Sequence, residues 1–376
     1  MTRTPRTRPV HLRARPVPVE PPAAMPTAPL DTVIADDSAL YRQLLRNVVS
    51  RLPDTRVVGL AENGDEAVEM VARLRPHVLT LDVNMPGRDG IAVLREVRRL
   101  GCDTRVVMVS SLTGEGTPLS VEALLLGAFE VVGKPAGVDP HEARQILQGQ
   151  LAEKFALVRK NLGFRRDGAA PSTPVAIPAG GRYAALALGA STGGPEALRE
   201  ILPRLPADLP VPVLIVQHIL APFSPVLAAR LRELSQLPIA EAEEGMAVEP
   251  GRMYLAPAGS HLRVERRGGG VWCRLDHAPP LAGCRPSFDI LLESVCGAFD
   301  GRVLAAVLSG MGSDGAAGCR LARACGGFVV AQHRDTCTVW GMPKAVEEQG
   351  LADAVVRVGE IAGVLTERLR RPAPAG

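Results

Sequence analysis

The 376-residue sequence has no uninterrupted apolar run of membrane-spanning length, although 46% of its residues are apolar. That combination marks a soluble globular chain and excludes direct membrane insertion. The first residues lack the apolar centre of a secretory signal, so the cytoplasm is the expected compartment. No CxxC pair occurs among the seven cysteines, which are scattered from Cys102 to Cys337. An odd, unpaired set fits reduced thiols rather than a disulfide frame or a zinc site. Charge of one sign is also missing: the net charge is only +3, so bulk electrostatics calls for no nucleic acid. No basic helix pair follows Leu308, which speaks against a transcription factor. The one lopsided stretch is the beginning, where Arg3, Arg6, Arg8, Arg13 and Arg15 face only Glu20 among many prolines. Residues 1–30 therefore read as a disordered tail. Met25 stands as an alternative start, and a peptide spanning Arg13 to Pro22 in the natively expressed protein would exclude it.

What is present is a regular alternation. The length exceeds one ordinary core and implies two domains with connecting segments. Short apolar runs lie at 32–35, 56–60, 77–81, 105–109 and 130–132, separated by helix-period segments at 39–51, 64–74, 91–100, 119–126 and from Pro140 onward. Five such alternations predict a doubly wound parallel sheet whose ligands bind beyond the C-terminal strand ends. Asp36, Asp37, Asp82, Ser110 and Lys134 stand at those ends. Three carboxylates on one sheet edge repel one another unless a cation joins them, and a hard, oxygen-liking Mg²⁺ suits them. Lys134 and Ser110 supply the charge and hydroxyl needed to orient a phosphoryl group on Asp82.

Residues 31 to about 140 thus resemble a response-regulator receiver domain, through Asp36-Asp37-Ser38, the run from Asp82 to Gly90, Ser110-Ser111 and Lys134-Pro135. The resemblance implies that Asp82 is the phosphoacceptor, that Asp36 and Asp37 bind Mg²⁺ with the backbone carbonyl of Asn84, and that Ser110 and Lys134 sense the phosphate. Val131 departs from the aromatic switch residue that many receivers carry there.

From 163 to 181 glycine and proline content rises to linker composition, and a second alternation begins near Arg182. In it Leu188-Gly-Ala-Ser-Thr-Gly-Gly194 joins an apolar strand to a helix with Pro195 near its start. The spelling fits a G-x-S-x-G elbow that exposes Ser191 beside backbone amides able to hold an oxyanion. By itself the turn serves equally well as a phosphate cradle or a plain tight turn. Two further strands, ending at Gln217-His218 and before Ser309, bring His218 and Asp314 to the same sheet edge. Serine, an imidazole to take its proton and a carboxylate to fix the tautomer form a nucleophilic set. His261, His277 and His333 are weaker bases by position, Asp314 could equally cap the helix from Ala316, and Asp289 or Asp335 are alternative acids.

Residues 182 to about 368 resemble the catalytic domain of the chemotaxis protein-glutamate methylesterase and glutamine deamidase family. The resemblance rests on Gly189 to Gly194, Val216-Gln-His218, Leu255 to His261, Arg285-Pro-Ser-Phe-Asp289, Leu308 to Gly315 and Gly341-Met-Pro343. It implies Ser191 as nucleophile, His218 as base and Asp314 as orienting acid, with Thr192 and Met311 lining the site near the oxyanion and no cofactor for the hydrolysis. Ile219-Leu220 and His333 depart from the family's usual residues. The expected chain is α/β throughout: tail 1–30, five-stranded receiver 31–150, linker 151–181 and a mostly parallel methylesterase domain 182–370. The implied function is phosphorylation-activated removal of methyl groups from glutamyl esters on the cytoplasmic helices of methyl-accepting chemoreceptors, with glutamine deamidation beside it and a chemotaxis histidine kinase as phosphodonor. The alternatives are a non-catalytic response regulator acting by partner binding, or the same chemistry on a non-flagellar array.

Overall fold

The computed structural model describes residues 28–111, 116–162 and 183–370. The expected tail up to residue 27 and the glycine- and proline-containing segment 163–181 lie outside the described residues.

The first unit alternates β1 (Leu30–Ala35), α1 (Ala39–Val49), β2 (Thr55–Ala61), α2 (Gly64–Leu74), β3 (Val78–Asp82), α3 (Gly90–Arg99), β4 (Arg105–Ser110), α4 (Gly116–Leu125), β5 (Glu130–Gly133) and α5 (Pro140–Asn161). Its five strands are parallel in the order β2-β1-β3-β4-β5. Helix starts follow local chemistry: Ser38, Asn63, Asp89 and Asp139 each accept a hydrogen bond from an amide in the first turn of the helix they precede. β3 is buried along its whole length, as a central strand covered on both faces should be.

Two expected boundaries shift. Leu30 belongs to β1 rather than to the tail, and residues 151–161 continue α5 rather than opening the linker. The reason is burial: Leu147, Leu151, Phe155 and Val158 recur at helical spacing and share one apolar cluster with Leu45, Val48 and Val49 of α1.

The second unit contains β6 (Ala185–Ala190), α6 (Gly194–Ile201), β7 (Val213–Gln217), α7 (Ser224–Leu234), β8 (Ile239–Glu241), β9 (Met253–Leu255), β10 (His261–Arg267), β11 (Gly270–Asp276), α8 (Phe288–Ala298), β12 (Val303–Val307), α9 (Ala316–Ala324), β13 (Phe328–Gln332), α10 (Met342–Glu348), β14 (Ala354–Val356) and α11 (Val358–Arg370). Seven strands form a parallel sheet in the order β14-β13-β12-β6-β7-β9-β8, with β10 and β11 set apart as an antiparallel hairpin. Successive strands leave β6 on one side toward β7, while β12 lies on its other side. The loops after β6 and β12 therefore diverge and open a crevice at the switch in strand order.

α4 joins the two units. Its sequence is apolar nearly all round, with Val121, Ala123, Leu124 and Leu125 buried, because one face covers the first sheet while another packs against α6 and α7. Arg98 of α3 adds a bond to Glu196 of α6 at 2.6 Å.

Candidate active site

The crevice holds a cavity of about 420 Å³. The second unit lines it with Ser191, Thr192, Gln217, His218, Cys284 and Met311; the first supplies the opposite wall through Leu124, β5 and the middle of α5.

Ser191 follows β6 directly, and its turn is tight. The Ser191 amide donates to Ser309 O at 3.0 Å and the Ser191 carbonyl accepts from Gly194 at 2.7 Å. Gly193 has φ +77, and a Cβ there would come within 2.4 Å of the Thr338 side chain, so the elbow demands glycine for both backbone and space. Since the Ser191 amide is engaged, an oxyanion needs donors from its neighbours.

His218 follows β7, and its Nε2 lies 2.8 Å from Asp314 Oδ2. That bond leaves Nδ1 as the second ring nitrogen. Asp314 is buried and held by Ser287 Oγ at 2.8 Å and by the amides of Phe288 and Asp289 at 2.7 and 3.0 Å. Burial opposes its charge, but His218 and those amides outweigh it and keep the carboxyl below its ordinary range. Burial likewise opposes the charged His218 ring, yet Asp314 and the nearby Cys284 push it up to about 9. The Ser191 hydroxyl makes no hydrogen bond to His218 among the described residues. The structure therefore brings His218 and Asp314 together and sets Ser191 in the same cleft, a looser arrangement common before substrate arrives.

The rival residues lie elsewhere. His261 is fully buried and accepts from the Ser287 amide at 3.1 Å. His277 is exposed beside Ser260. Asp289 accepts from the Gly318 amide at 2.7 Å in α9, and Asp335 sits 3.4 Å from Arg357 with His333 at 3.6 Å.

Thr192 and Met311 both line the cleft, Met311 being 43% exposed at its mouth. The Thr192 hydroxyl donates to the Glu130 carboxylate of the first unit. Glu130 was not legible as a site residue, because nothing in a strand's first position announces a contact made across units. Gln217 was missed as well. It is 1% exposed, and its Nε2 donates to the carbonyls of Ser191 and His218 at 2.9 Å each, tying the two turns together. Its place immediately before His218 was the available signal.

On the first sheet's edge, Lys134 Nζ lies 2.8 Å from Asp36 and 2.7 Å from Asp82. Burial drives the Asp82 carboxyl up, against the pull of Lys134. Burial also opposes the charge on Lys134, but Asp36 and Asp82 hold its pKa above the ordinary value. Oxygens of Asp36, Asp37 and Asp82 all lie within 4.8 Å of one another. Asp36 Oδ2 is buried and, despite its closeness to Lys134, has no properly directed hydrogen bond. The Asn84 amide approaches Asp82 Oδ1 at 3.4 Å. Ser110 is fully buried, its hydroxyl 3.1 Å from Ser111 O. Val131 leaves the switch position without a ring; instead Tyr41 lies under Lys134 with Nζ 4.6 Å from its centroid.

Comparison with known proteins bears on both units. Residues 32–147 match the response regulator receiver domain model, and residues 186–365 match the CheB methylesterase model. A Myxococcus xanthus protein named protein-glutamate methylesterase/protein-glutamine glutaminase 5 is 40% identical over 86% of this chain and 94% of its own. A Thermotoga maritima protein of the same name, without the numeral, is 37% identical over 89% of this chain and 97% of its own. The crystal structure of the Thermotoga maritima CheB methylesterase catalytic domain is 38% identical, covers 50% of this chain and 98% of its own, and has a TM-score of 0.48.

Proposed function

Because this chain belongs to the protein-glutamate methylesterase/protein-glutamine glutaminase family, we propose that it is a phosphorylation-gated serine hydrolase acting on glutamyl methyl esters of methyl-accepting chemoreceptor helices, and on receptor glutamines by the same route. The observation that carries this reading is the Asp314–His218 pair facing the cleft that holds Ser191. Asp314 keeps the proton of His218 on Nε2, so Nδ1 takes the proton of the Ser191 hydroxyl as its oxygen attacks the ester carbonyl. Methanol leaves with that proton, and water activated by the same nitrogen cleaves the acyl-enzyme. A non-catalytic role would have no use for a buried carboxylate held by three donors and bonded to a half-buried imidazole.

His218 must be neutral to accept the proton, and its pKa near 9 makes the imidazolium the resting form at neutral pH. Below that pKa the neutral fraction rises about tenfold per pH unit. The expected kcat/KM therefore climbs from pH 7 toward 9 and levels above it; a profile already flat at pH 7 contradicts the assignment. Stability follows the opposite sign. The raised pKa contributes stability that is fully present below the ordinary histidine value of 6.5 and is lost as pH rises through about 9.

In the first unit the reading makes Asp82 the phosphoacceptor. The clustered oxygens of Asp36, Asp37 and Asp82, with a buried Asp36 oxygen that, among the described residues, only the Lys134 ammonium approaches, fit a hard cation, and these residues would hold Mg²⁺ with the Asn84 backbone. Bound there, the ion would neutralise the charge of an incoming phosphoryl group. Given methylated receptor membranes, the protein is expected to release methanol, and a small phosphodonor is expected to accelerate release only while Mg²⁺ is supplied. Withdrawing Mg²⁺ should abolish the acceleration and leave the basal rate alone. A lost basal rate would place a metal requirement in the hydrolase itself, and no methanol at all would reject the substrate class.

A further inference from the structure

We propose that His218 and Cys284 form a binding site for a soft divalent cation, with zinc the best chemical fit, and that filling it shuts the hydrolase off. The Cys284 sulfur lies 3.9 Å from His218 Nδ1. Two ligands of one tetrahedral zinc, a thiolate and an imidazole, stand about 3.6 Å apart, so a small movement of the thiol closes the pair on an ion. The imidazole is already turned for this purpose. Its Nε2 is bonded to Asp314 at 2.8 Å, and Asp314 is itself fixed by three donors. A carboxylate behind a histidine is the support that metal-binding imidazoles use to fix the ring and raise its basicity.

Cys284 is also held in place. Leu281 and Cys284 exchange backbone hydrogen bonds across a two-residue turn, at 3.1 and 2.9 Å. The central residues Ala282 and Gly283 have φ +49 and +83, the mirror-image turn whose twist suits a tight hairpin. A non-glycine residue in that region marks a turn held by its surroundings. The thiol thus reaches the cleft from a short rigid loop. Both ligands line the 420 Å³ cavity, which has room for water or the Ser191 hydroxyl to complete the coordination.

Sulfur and imidazole select zinc over Mg²⁺, so this site and the carboxylate cluster of the first unit would take different ions. On binding, Cys284 and the Nδ1 of the imidazolium each release a proton to solvent, and the freed Nδ1 lone pair is donated to the metal. That lone pair is the one the reaction needs, so the inhibition rests on the reading of His218 as base, whereas the binding does not.

Two measurements on the full chain separate the two. First, methanol release is titrated with zinc from a metal-free start. The expected result is inhibition that excess chelator reverses, with Cys284→Ser and Cys284→Ala each needing about 10- to 100-fold more zinc than the wild type, each compared with its own metal-free rate. Second, cobalt(II) serves as a coloured substitute: the wild type should show a thiolate-to-cobalt charge-transfer band that both Cys284 variants lose. If the variants remain as zinc-sensitive as the wild type, or keep the band, the proposal is wrong. If the band depends on Cys284 but no methanol is ever released, the metal site stands and the hydrolase reading falls.

Discussion

Ser191→Ala should leave a folded protein that releases almost no methanol from methylated receptors, a loss of about three orders of magnitude or more. The expectation rests on position. The side chain projects into the cleft, while the backbone contacts that shape the elbow, to Ser309 and Gly194, are made by main-chain atoms the substitution keeps. Alanine removes the attacking oxygen without disturbing the turn. Retention of more than about a tenth of the rate would exclude Ser191 as nucleophile. Asp314→Asn is the companion experiment. Its amide would preserve the shape but no longer hold the Nε2 proton, and the wrong tautomer should cost roughly ten-thousand-fold. Should Asp314→Asn prove silent, Asp289 or Asp335 would have to be tested, although neither bonds to His218 among the described residues.

The second large effect concerns the wall that the first unit builds across the cleft. α4 packs on α6 and α7, and β5 and α5 close the side facing Ser191. Glu130 accepts the Thr192 hydroxyl and so places a carboxylate in the wall of the cleft that holds Ser191, where it would oppose the negative charge an ester carbonyl develops under attack. A chain starting at Tyr183 should therefore turn over faster than the unphosphorylated full chain. Glu130→Ala should move the full chain in the same direction, by freeing Thr192 and removing a repulsive charge.

Phosphorylating Asp82 replaces its single carboxylate charge with a phosphoryl group carrying roughly two negative charges, taking phosphoserine as the guide. Lys134, now shared between Asp36 and Asp82, is the nearest cation to answer them. It follows directly after β5, whose other end carries Glu130, so a shift at Lys134 acts on the strand that holds Thr192. A tenfold activation requires about 1.4 kcal/mol of preference for the open arrangement, if the closed one dominates beforehand. The Arg98–Glu196 bond is partly exposed and worth at most about 1 kcal/mol; most of the closure must come from the apolar face of α4. Asp82→Ala should leave the full chain unresponsive to kinase or phosphodonor. If the chain from Tyr183 is no faster than the intact protein, covering is not the mechanism and phosphorylation must act on receptor binding.

Much of this protein is decided locally. The alternation of apolar runs with helix-period segments determined two parallel sheets, because burial on both faces of a strand requires that pattern. Glycines at the elbow, and polar residues placed where apolar runs stop, located Ser191, His218, Asp314 and the acids of the first sheet, since the functional edge of such a fold is where its strands end. The continuation of α5 through residue 161 was legible in the spacing of Leu151, Phe155 and Val158, since glycine and proline content rises to linker composition only from residue 163. Only the tertiary structure decided what depends on residues far apart in sequence meeting in space. Cys284 reads as one more scattered thiol until its turn brings it within 3.9 Å of the His218 ring. Gln217 ties the turn of Ser191 to that of His218 only because β6 and β7 are neighbours. Glu130 and α4 acquire their roles from the packing of one unit on the other, a contact between two surfaces that leaves no period in either sequence.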